Sequence, residues 1–303
     1  MKPLGALIFL ALIFSARAET FRVAAYNVEN YLAAPTETRP RAKSDDAKKK
    51  IRESIKAMNP DVLALEEMGT TNALLELRDS LKDEGCEFPF WEHVSGYDTN
   101  IHVAVLSKFP ILATHPHTNE NFLLDGRRFR VSRGFAEVEI QAAPSFTFTV
   151  IVAHLKSRRP VPSADEAELR LAEAKILRGI IDHKFSENPN ARLVVLGDFN
   201  DTHNSEPIKT IVGRGKTKLA DTRPAERNGD DAPPENPRYE PRNITWTHHY
   251  GVEDNYSRVD YIFVSRAMTK FWLPEETYIP KISNWGVGSD HRPVTTAFDT
   301  DKK

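Results

Sequence analysis

The chain has 303 residues and 40% of them are hydrophobic, so it is long enough to bury a substantial core. Its formal charge of -2 at pH 7 excludes a protein that is cationic overall, so binding to nucleic acid would require local basic residues or a metal ion. The only cysteine is Cys86, which excludes an intramolecular disulfide and a cysteine-based metal cage.

The first residues predict a cleavable signal peptide over residues 1–18. Lys2 precedes an apolar run at residues 4–14, and small residues follow at Ala16 and Ala18. This order is typical of a secretory signal that is cut after the second small residue. The apolar run is shorter than a bilayer-spanning helix, which disfavours a membrane anchor. We therefore expect a secreted or periplasmic protein without stable membrane association.

The remaining residues, 19–303, are expected to form one domain. In chain order, the predicted elements are a strand over 21–26, a helix over 45–58, a strand over 61–65, a helix over 71–83, a strand over 101–106, a hairpin within 133–154, a helix over 164–183, and strands over 193–196, 244–250, 259–264 and 294–298. A proline-rich, charged segment over 222–243 predicts an exposed loop. Many strands with few intervening helices predict two packed sheets flanked by helices.

Polar side chains occupy the ends of these predicted strands. The acidic, amide and imidazole residues at or just beyond a strand are Asn27, Glu67, His154, Asp198, Asn200, Asp260, Asp290 and His291. Strand ends on one edge of a sandwich can converge on a single cleft. Carboxylate and amide oxygens suit a hard cation such as Mg²⁺, and phosphoryl transfer needs such a cation, an activated water and charge stabilisation.

Six segments resemble, in order, the motifs of the endonuclease/exonuclease/phosphatase superfamily. They read YNVEN (26–30), PDVLALEE (60–67), VAHLKS (152–157), GDFN (197–200), RVDYIFV (258–264) and SDHRP (289–293). The resemblance extends over residues 21–298. It implies a four-layer α/β/β/α sandwich, with two mainly antiparallel mixed sheets packed face to face and flanked by helices. It also implies a divalent cation, Mg²⁺ or Mn²⁺, with Ca²⁺ as a further option.

The same resemblance assigns a metal site and a catalytic group. Glu67 is expected to be the principal metal carboxylate, and the metal shell is completed by Asn27, Glu29 and Asp290. Asp198 is expected to orient or deprotonate the attacking water, and Asn200 to hold that water or the phosphate. The remaining expected roles are those of the catalytic His291, its partner Asp260, the phosphate-stabilising His154, and Arg133 as a phosphate contact.

Several residues have a second interpretation. Adjacent strand residues face opposite sides, so only one of Glu66 and Glu67 is expected to reach the metal, and the motif favours Glu67. For the same reason, a zinc site made by both His248 and His249 is disfavoured. Arg128 belongs to a local arginine cluster that either contacts substrate phosphates or forms a plain surface loop.

The motifs indicate phosphodiester chemistry but leave the substrate open. A nuclease is favoured, and the alternatives are a broad phosphodiesterase or phosphatase on small esters, a sphingomyelinase-like phospholipase C, and an inactive binding domain. The phospholipase is disfavoured because no aromatic-rich hairpin for membrane insertion is evident. Apurinic-site endonucleases usually carry a tyrosine motif where this chain has residues 154–157, which argues against base-excision repair. No obligate protein partner is evident.

Overall fold

The computed structural model describes residues 20–227 and 243–302, which form two large β-sheets with helices on their outer faces. The predicted signal peptide and residues 228–242 of the predicted loop lie outside the described residues. Within the described ranges, no helix is both long enough and apolar enough to cross a membrane. Strands and helices are numbered below in chain order.

The first sheet has seven strands among the described residues. From edge to edge they are β12 (Ala225–Glu226), β16 (Trp272–Ile279), β17 (Val294–Asp299), β1 (Thr20–Tyr31), β2 (Val62–Met68), β4 (His102–Ser107) and β3 (Phe90–Val94). The pairs β1–β2 and β12–β16 are parallel, and the other pairs are antiparallel.

The second sheet has six described strands. Across the sheet they are β11 (Ala220–Asp221), β15 (Asp260–Val264), β10 (Leu193–Asp198), β9 (Phe146–His154), β8 (Phe135–Ala143) and β5 (Ile111–His117). Only β9 and β10 run parallel in this sheet, so both sheets are mixed and mainly antiparallel. Two small hairpins stand apart from the sheets: β6 (Asn121–Leu124) with β7 (Arg127–Arg130), and β13 (His248–Tyr250) with β14 (Asn255–Ser257).

Helices cover the outer face of each sheet. The apolar sides of α1 (Asp45–Met58) and α2 (Thr71–Asp83) pack on the first sheet, and those of α3 (Glu166–Glu187) and α4 (Glu206–Val212) pack on the second. A single further turn, α5 (Arg266–Thr269), follows β15. Ser44 caps α1 by accepting a hydrogen bond from the backbone N–H of Ala47, and α1 ends at Asn59 in the left-handed conformation. The predicted four-layer α/β/β/α sandwich is confirmed.

A third apolar layer lies between the two sheets and fixes the direction in which the strand-end residues point. Phe148, Val150 and Val152 of β9 face this layer, so the next residue in phase, His154, faces it too. The same alternation in β10 turns Asp198 inward after Leu196. The strands therefore bring polar side chains together at one end of the sandwich.

Aromatic side chains close the opposite end of the sandwich. Phe21, at the start of β1, packs against Phe298 and Phe148 with ring centroids 5.3 and 5.0 Å apart. Burying an aromatic side chain of this kind contributes on the order of 1.5–3 kcal/mol. This cluster therefore holds the two sheets together at the end opposite the polar residues.

Candidate active site

Strand register places the polar residues of the second sheet side by side. Asp198 of β10 lies opposite His154 of the parallel strand β9 and opposite Asp260 of the antiparallel strand β15. On the facing sheet, Asn27 of β1 lies opposite Glu66 of β2. All five side chains are buried, and contacts described below join the two sheets at this point.

Asp198 lies at the centre of this group. Its Oδ2 atom accepts hydrogen bonds from Nδ2 of Asn27 at 3.0 Å and from Nδ2 of Asn200 at 3.1 Å. The Nε2 atoms of His154 and His291 lie 3.5 and 3.8 Å from the same oxygen. Burial, together with the nearby carboxylate of Asp260, raises the pKa of Asp198 to about 7 although His291 opposes the shift. This carboxyl group can therefore gain or lose a proton near neutral pH.

His291 and Asp260 form a buried pair. The Nδ1 atom of His291 lies 2.9 Å from Oδ2 of Asp260, which fixes Nε2 as the atom that faces Asp198. Burial alone would lower the pKa of His291, but the carboxylates of Asp260 and Asp198 outweigh burial and raise it well above its usual value. Ser289 holds the segment in place by accepting from the His291 backbone N–H and donating to the backbone oxygen of Asn27.

His154 has the opposite electrostatic environment. Complete burial and the nearby guanidinium of Arg133 lower its pKa well below the usual value, so the imidazole is neutral. His154 therefore differs from His291 in its charge state. The physical reason is that its charge would be buried beside a fixed cation.

The two adjacent glutamates do not divide between the two faces of β2. Glu67 has a positive φ of 58°, and between Leu65 and Met68 β2 has one residue more than its partner β4, so β2 bulges there. Glu67 accepts a hydrogen bond from the backbone N–H of Asn30 at 2.9 Å and lines the cleft described below. Glu66 also points inward, since a Cβ atom at Gly197 would lie 3.0 Å from its Oε1 atom.

Glu66 is fully buried, and neither of its carboxyl oxygens has a hydrogen-bond partner among the described residues. Burial and the neighbouring carboxylates of Asp260 and Asp198 raise its pKa well above the usual value. The expectation that these adjacent glutamates face opposite sides of β2 is therefore wrong: Glu66 continues the inward phase of Val62 and Ala64, and the bulge turns Glu67 to the same side. Glu66 lies beneath the site as a neutral carboxylic acid.

Three other predicted site residues lie around this group. Glu29 forms an ion pair with Lys43 at 3.4 Å and its side chain is 42% exposed; burial and the carboxylates of Asp290 and Glu67 raise its pKa, although Lys43 opposes the shift. Arg133 is buried beside His154, with its Nη1 atom 3.4 Å from the backbone oxygen of Leu155. Arg128 is exposed on the β6–β7 hairpin and is not among the residues that line the cleft.

A cleft with a volume of about 680 Å³ opens over the group. Its floor includes Glu67, Asp198, Asn200, Asp290 and His291. One wall is the segment 157–160 with the exposed Arg158 and Arg159, and the other is the β13–β14 hairpin with His248 and Tyr250. Sequence reasoning missed both walls, although the two arginines directly follow the VAHLKS motif.

The two neighbouring histidines of β13 face apart, as the strand alternation predicts. His249 stacks on Tyr256 with ring centroids 4.5 Å apart and lies 3.3 Å from Asp254. His248 instead faces Asp290, with its Nε2 atom 3.6 Å from the carboxylate. The hairpin therefore contributes one histidine to the cleft.

A two-sheet α/β sandwich with carboxylate, amide and imidazole groups at one end defines a class of hydrolases that act on phosphoester bonds. The sequence profile of the Endonuclease/Exonuclease/phosphatase family matches residues 24–291, so the chain belongs to that family. No curated protein sequence matches the chain.

Solved structures with the same fold extend over almost the whole chain. Truncated TDP2 from Caenorhabditis elegans is 17% identical, with a TM-score of 0.61, and the match covers 93% of this chain and 98% of that one. The human Nocturnin catalytic domain is 16% identical, with a TM-score of 0.61 and coverages of 93% and 94%. Sphingomyelinase C from Streptomyces griseocarneus is 17% identical, with a TM-score of 0.59 and coverages of 92% and 99%. These likenesses establish the fold.

The family generally depends on a divalent metal, and the residues present fit one. Glu67 supplies carboxylate oxygens, a donor type that Mg²⁺ and Mn²⁺ prefer. Asn27 lies beside it with Nδ2 facing Glu67 and Asp198 and Oδ1 accepting from the Glu29 backbone N–H, so its side chain would have to rotate to offer the amide oxygen to a cation. Several acidic groups also converge here, and a bound cation would offset their mutual repulsion. Asp290 completes a second group with His248 and His291, whose ligand atoms lie within 4.8 Å of one another.

The raised pKa of Asp198 predicts how stability depends on pH in metal-free protein. Its pKa rises from 3.8 to about 7 on folding, so the folded state binds more protons between these values and stability falls as pH rises through them. We expect Asp198→Asn to reduce the loss of Tm between about pH 5 and about pH 8 by roughly 3 °C or more. Thermal melts in a chelator at the two pH values test this, and equal losses in both proteins would contradict it.

Proposed function

We propose that the chain is a secreted, divalent-metal-dependent phosphodiesterase that cleaves nucleic acids. The observation that carries the proposal is the position of Asp198 and His291 on the floor of an open cleft whose rim presents Arg158 and Arg159. An open cleft accommodates a polymer, and exposed guanidinium groups beside it suit a phosphate backbone.

Asp198 and His291 have complementary proton affinities for the proposed reaction. Asp198 removes a proton from the water that attacks phosphorus, and burial of its carboxylate favours this uptake of a proton. The bond from phosphorus to the leaving oxygen breaks, and imidazolium His291 donates its Nε2 proton to that oxygen. Asp260 keeps the His291 ring oriented through Nδ1.

The other polar residues position these two groups and the phosphate. Asn200 donates to Asp198 and to the backbone oxygen of Leu155, so it fixes the orientation of the Asp198 carboxylate. Neutral His154 contributes a hydrogen bond through Nε2 to a phosphate oxygen, beside the cation Arg133. A cation held by Glu67 and Asn27 would neutralise charge on the phosphate oxygens.

Basic residues continue from the cleft rim onto the neighbouring surface. Arg127 of the β6–β7 hairpin reaches the backbone oxygen of Ser163, which places that hairpin beside the loop that follows Arg159. Arg128 and Arg130 of the same strand are exposed. The formal charge of the whole chain is -2, so this group of arginines is a local region of positive charge. Such a region favours a polyanionic substrate.

A phospholipid is the second candidate substrate, because the cleft has an exposed apolar hairpin at its edge. In the β13–β14 hairpin, Tyr250 is 46%, Val252 82% and Tyr256 50% exposed. Tyr250 pairs with Asn255 and Tyr256 pairs with His249, so the two tyrosines lie on opposite faces of the hairpin. Exposed aromatic and aliphatic side chains suit contact with a lipid surface.

A substrate panel distinguishes these candidates. Plasmid DNA, RNA, bis-nitrophenyl phosphate, mononitrophenyl phosphate and sphingomyelin vesicles are each assayed with Mg²⁺, Mn²⁺ and Ca²⁺, and with a chelator. We expect metal-dependent cleavage of nucleic acid that weakens steeply with added monovalent salt. The double variant Arg158→Ala/Arg159→Ala should weaken DNA cleavage more than hydrolysis of the small diester and reduce the salt dependence.

The outcomes separate the candidates cleanly. Arg192→Ala is the matched control for the double variant Arg158→Ala/Arg159→Ala and should leave DNA cleavage unchanged, since Arg192 stacks on Phe146 and Phe271 away from the cleft. Good turnover of small esters without nucleic-acid cleavage would replace the nuclease by a small-ester phosphodiesterase. Preference for sphingomyelin vesicles would establish the second candidate, and full activity after exhaustive chelation would overturn metal dependence.

A further inference from the structure

His248, Asp290 and His291 form a compact group at the hairpin side of the cleft. The Nε2 atom of His248 lies 3.6 Å from Oδ2 of Asp290, and Nε2 of His291 lies 3.9 Å from Oδ1 of the same carboxylate. Both distances exceed a good hydrogen bond, so these atoms do not satisfy one another. The group thus presents two imidazole nitrogens and one carboxylate to a common point.

Backbone contacts hold this arrangement in place. The N–H of His249 donates to the backbone oxygen of Asp290 at 3.0 Å, and the N–H of Arg292 donates to that of Thr247. A β-bridge also pairs His248 with His291, and their rings lie 4.6 Å apart. The position of His248 relative to the other two residues therefore does not depend on side-chain contacts alone.

The tautomer of His291 is also suited to binding a metal ion. Its Nδ1 atom lies 2.9 Å from Oδ2 of the buried Asp260, which leaves Nε2 directed at the group. A carboxylate behind an imidazole is the usual arrangement that orients a metal-binding histidine and increases its basicity. Asp260 can therefore serve the same histidine in two ways, as a partner for the imidazolium or as support for a metal ligand.

We propose that His248, Asp290 and His291 form an inhibitory binding site for a borderline transition-metal ion of the Zn²⁺ class. Its two nitrogens and one oxygen suit Zn²⁺ better than Mg²⁺, whereas the oxygen donors around Glu67 suit Mg²⁺. Ligand atoms about 2.0–2.1 Å from zinc in tetrahedral geometry lie about 3.3 Å apart. The ligand atoms here lie within 4.8 Å of one another, so their separations need to shorten by at most about 1.5 Å.

Occupation of this site would remove His291 from the reaction. Binding of Zn²⁺ would require imidazolium His291 to release its Nε2 proton to solvent, and the nitrogen, once bound to the ion, could no longer donate a proton to the leaving oxygen. This consequence rests on the proposed role of His291. The binding site itself does not, because it can be measured without any substrate.

Zinc binding is measured by titration calorimetry with the whole protein in excess Mg²⁺. We expect one Zn²⁺ ion per chain, and His248→Asn should weaken its affinity by about tenfold or more. Asp290→Asn is a second variant that should weaken it in the same way. The matched control is His249→Asn, which removes the adjacent histidine that faces Asp254 and should leave zinc affinity unchanged.

Equal zinc affinity in wild type and His248→Asn would overturn the site. A loss of zinc affinity in His249→Asn as large as that in His248→Asn would also overturn it, and so would displacement of zinc by Mg²⁺. In a parallel assay, each protein is compared with its own zinc-free rate. The Zn²⁺ concentration for half inhibition should rise about tenfold or more in His248→Asn. If zinc binds through His248 without inhibiting, the binding site stands and the inhibitory consequence is overturned.

Discussion

Replacing His291 with alanine is expected to lower turnover by about 100-fold or more, the usual loss when an acid–base group is removed. The structure supports this because Nε2 of His291 reaches into the cleft beside Asp198, while Nδ1 is held by Asp260 at 2.9 Å. Asp260→Asn should lower turnover less than His291→Ala does, because the His291 imidazole stays in place and only its positive charge is less stabilised. Single-turnover and steady-state rates on bis-nitrophenyl phosphate measure both losses.

The double variant His291→Ala/Asp260→Asn tests whether Asp260 acts only through His291. If Asp260 acts only through the histidine, His291→Ala with Asp260→Asn should be no slower than His291→Ala alone. His249→Ala is a matched control, since this histidine stacks on Tyr256 outside the catalytic group. Multiplicative losses in the double variant would assign Asp260 a separate role and reject the pairing.

Glu67→Ala is expected to abolish nearly all turnover and to weaken Mg²⁺ binding. Removing a residue that only supports a metal ligand typically lowers metal affinity roughly 10- to 100-fold. Glu67 is expected to be a ligand itself, so its removal should lower the Mg²⁺ affinity by more than that. Glu67 also accepts the backbone N–H of Asn30, so the variant Glu67→Gln is measured in parallel to keep that contact. Calorimetric Mg²⁺ titration gives a readout that is independent of activity.

Glu66→Gln is the matched control for Glu67→Ala. Burial keeps the Glu66 carboxyl neutral, so a neutral amide of the same shape should retain most of the Mg²⁺ affinity and turnover. If Glu66→Gln abolishes metal binding while Glu67→Ala retains it, the two glutamates have been assigned in the wrong order.

Local patterns predicted much of the architecture. The two helices over 45–58 and 71–83 agree with the structure residue for residue, because caps and apolar spacing act within one turn. The strands that build the interior, such as β10, were predicted because both faces are buried and their composition is uniformly apolar. Less apolar elements were missed, among them β5, β16 and α4.

The sequence by itself determined the family and the side chains at the strand ends. His154 and Asp198 continue the alternation of their strands, so their inward direction follows from the chain alone. Only the tertiary structure decided that Glu67 reaches the same side of β2 as Glu66, because a bulge at Glu67 breaks the alternation that Val62, Ala64 and Glu66 follow.

Tertiary packing also decided what surrounds each titratable group. The charge state of an imidazole depends on burial and on neighbours from distant parts of the chain, so burial and Arg133 keep His154 neutral, while the carboxylates of Asp260 and Asp198 outweigh burial and keep His291 charged. The β13–β14 hairpin reaches the cleft through backbone hydrogen bonds to residues 290 and 292, contacts that no local sequence pattern encodes. Contacts over such sequence distances arise only from folding of the whole chain, and they determine where His248 and the exposed aromatic side chains lie.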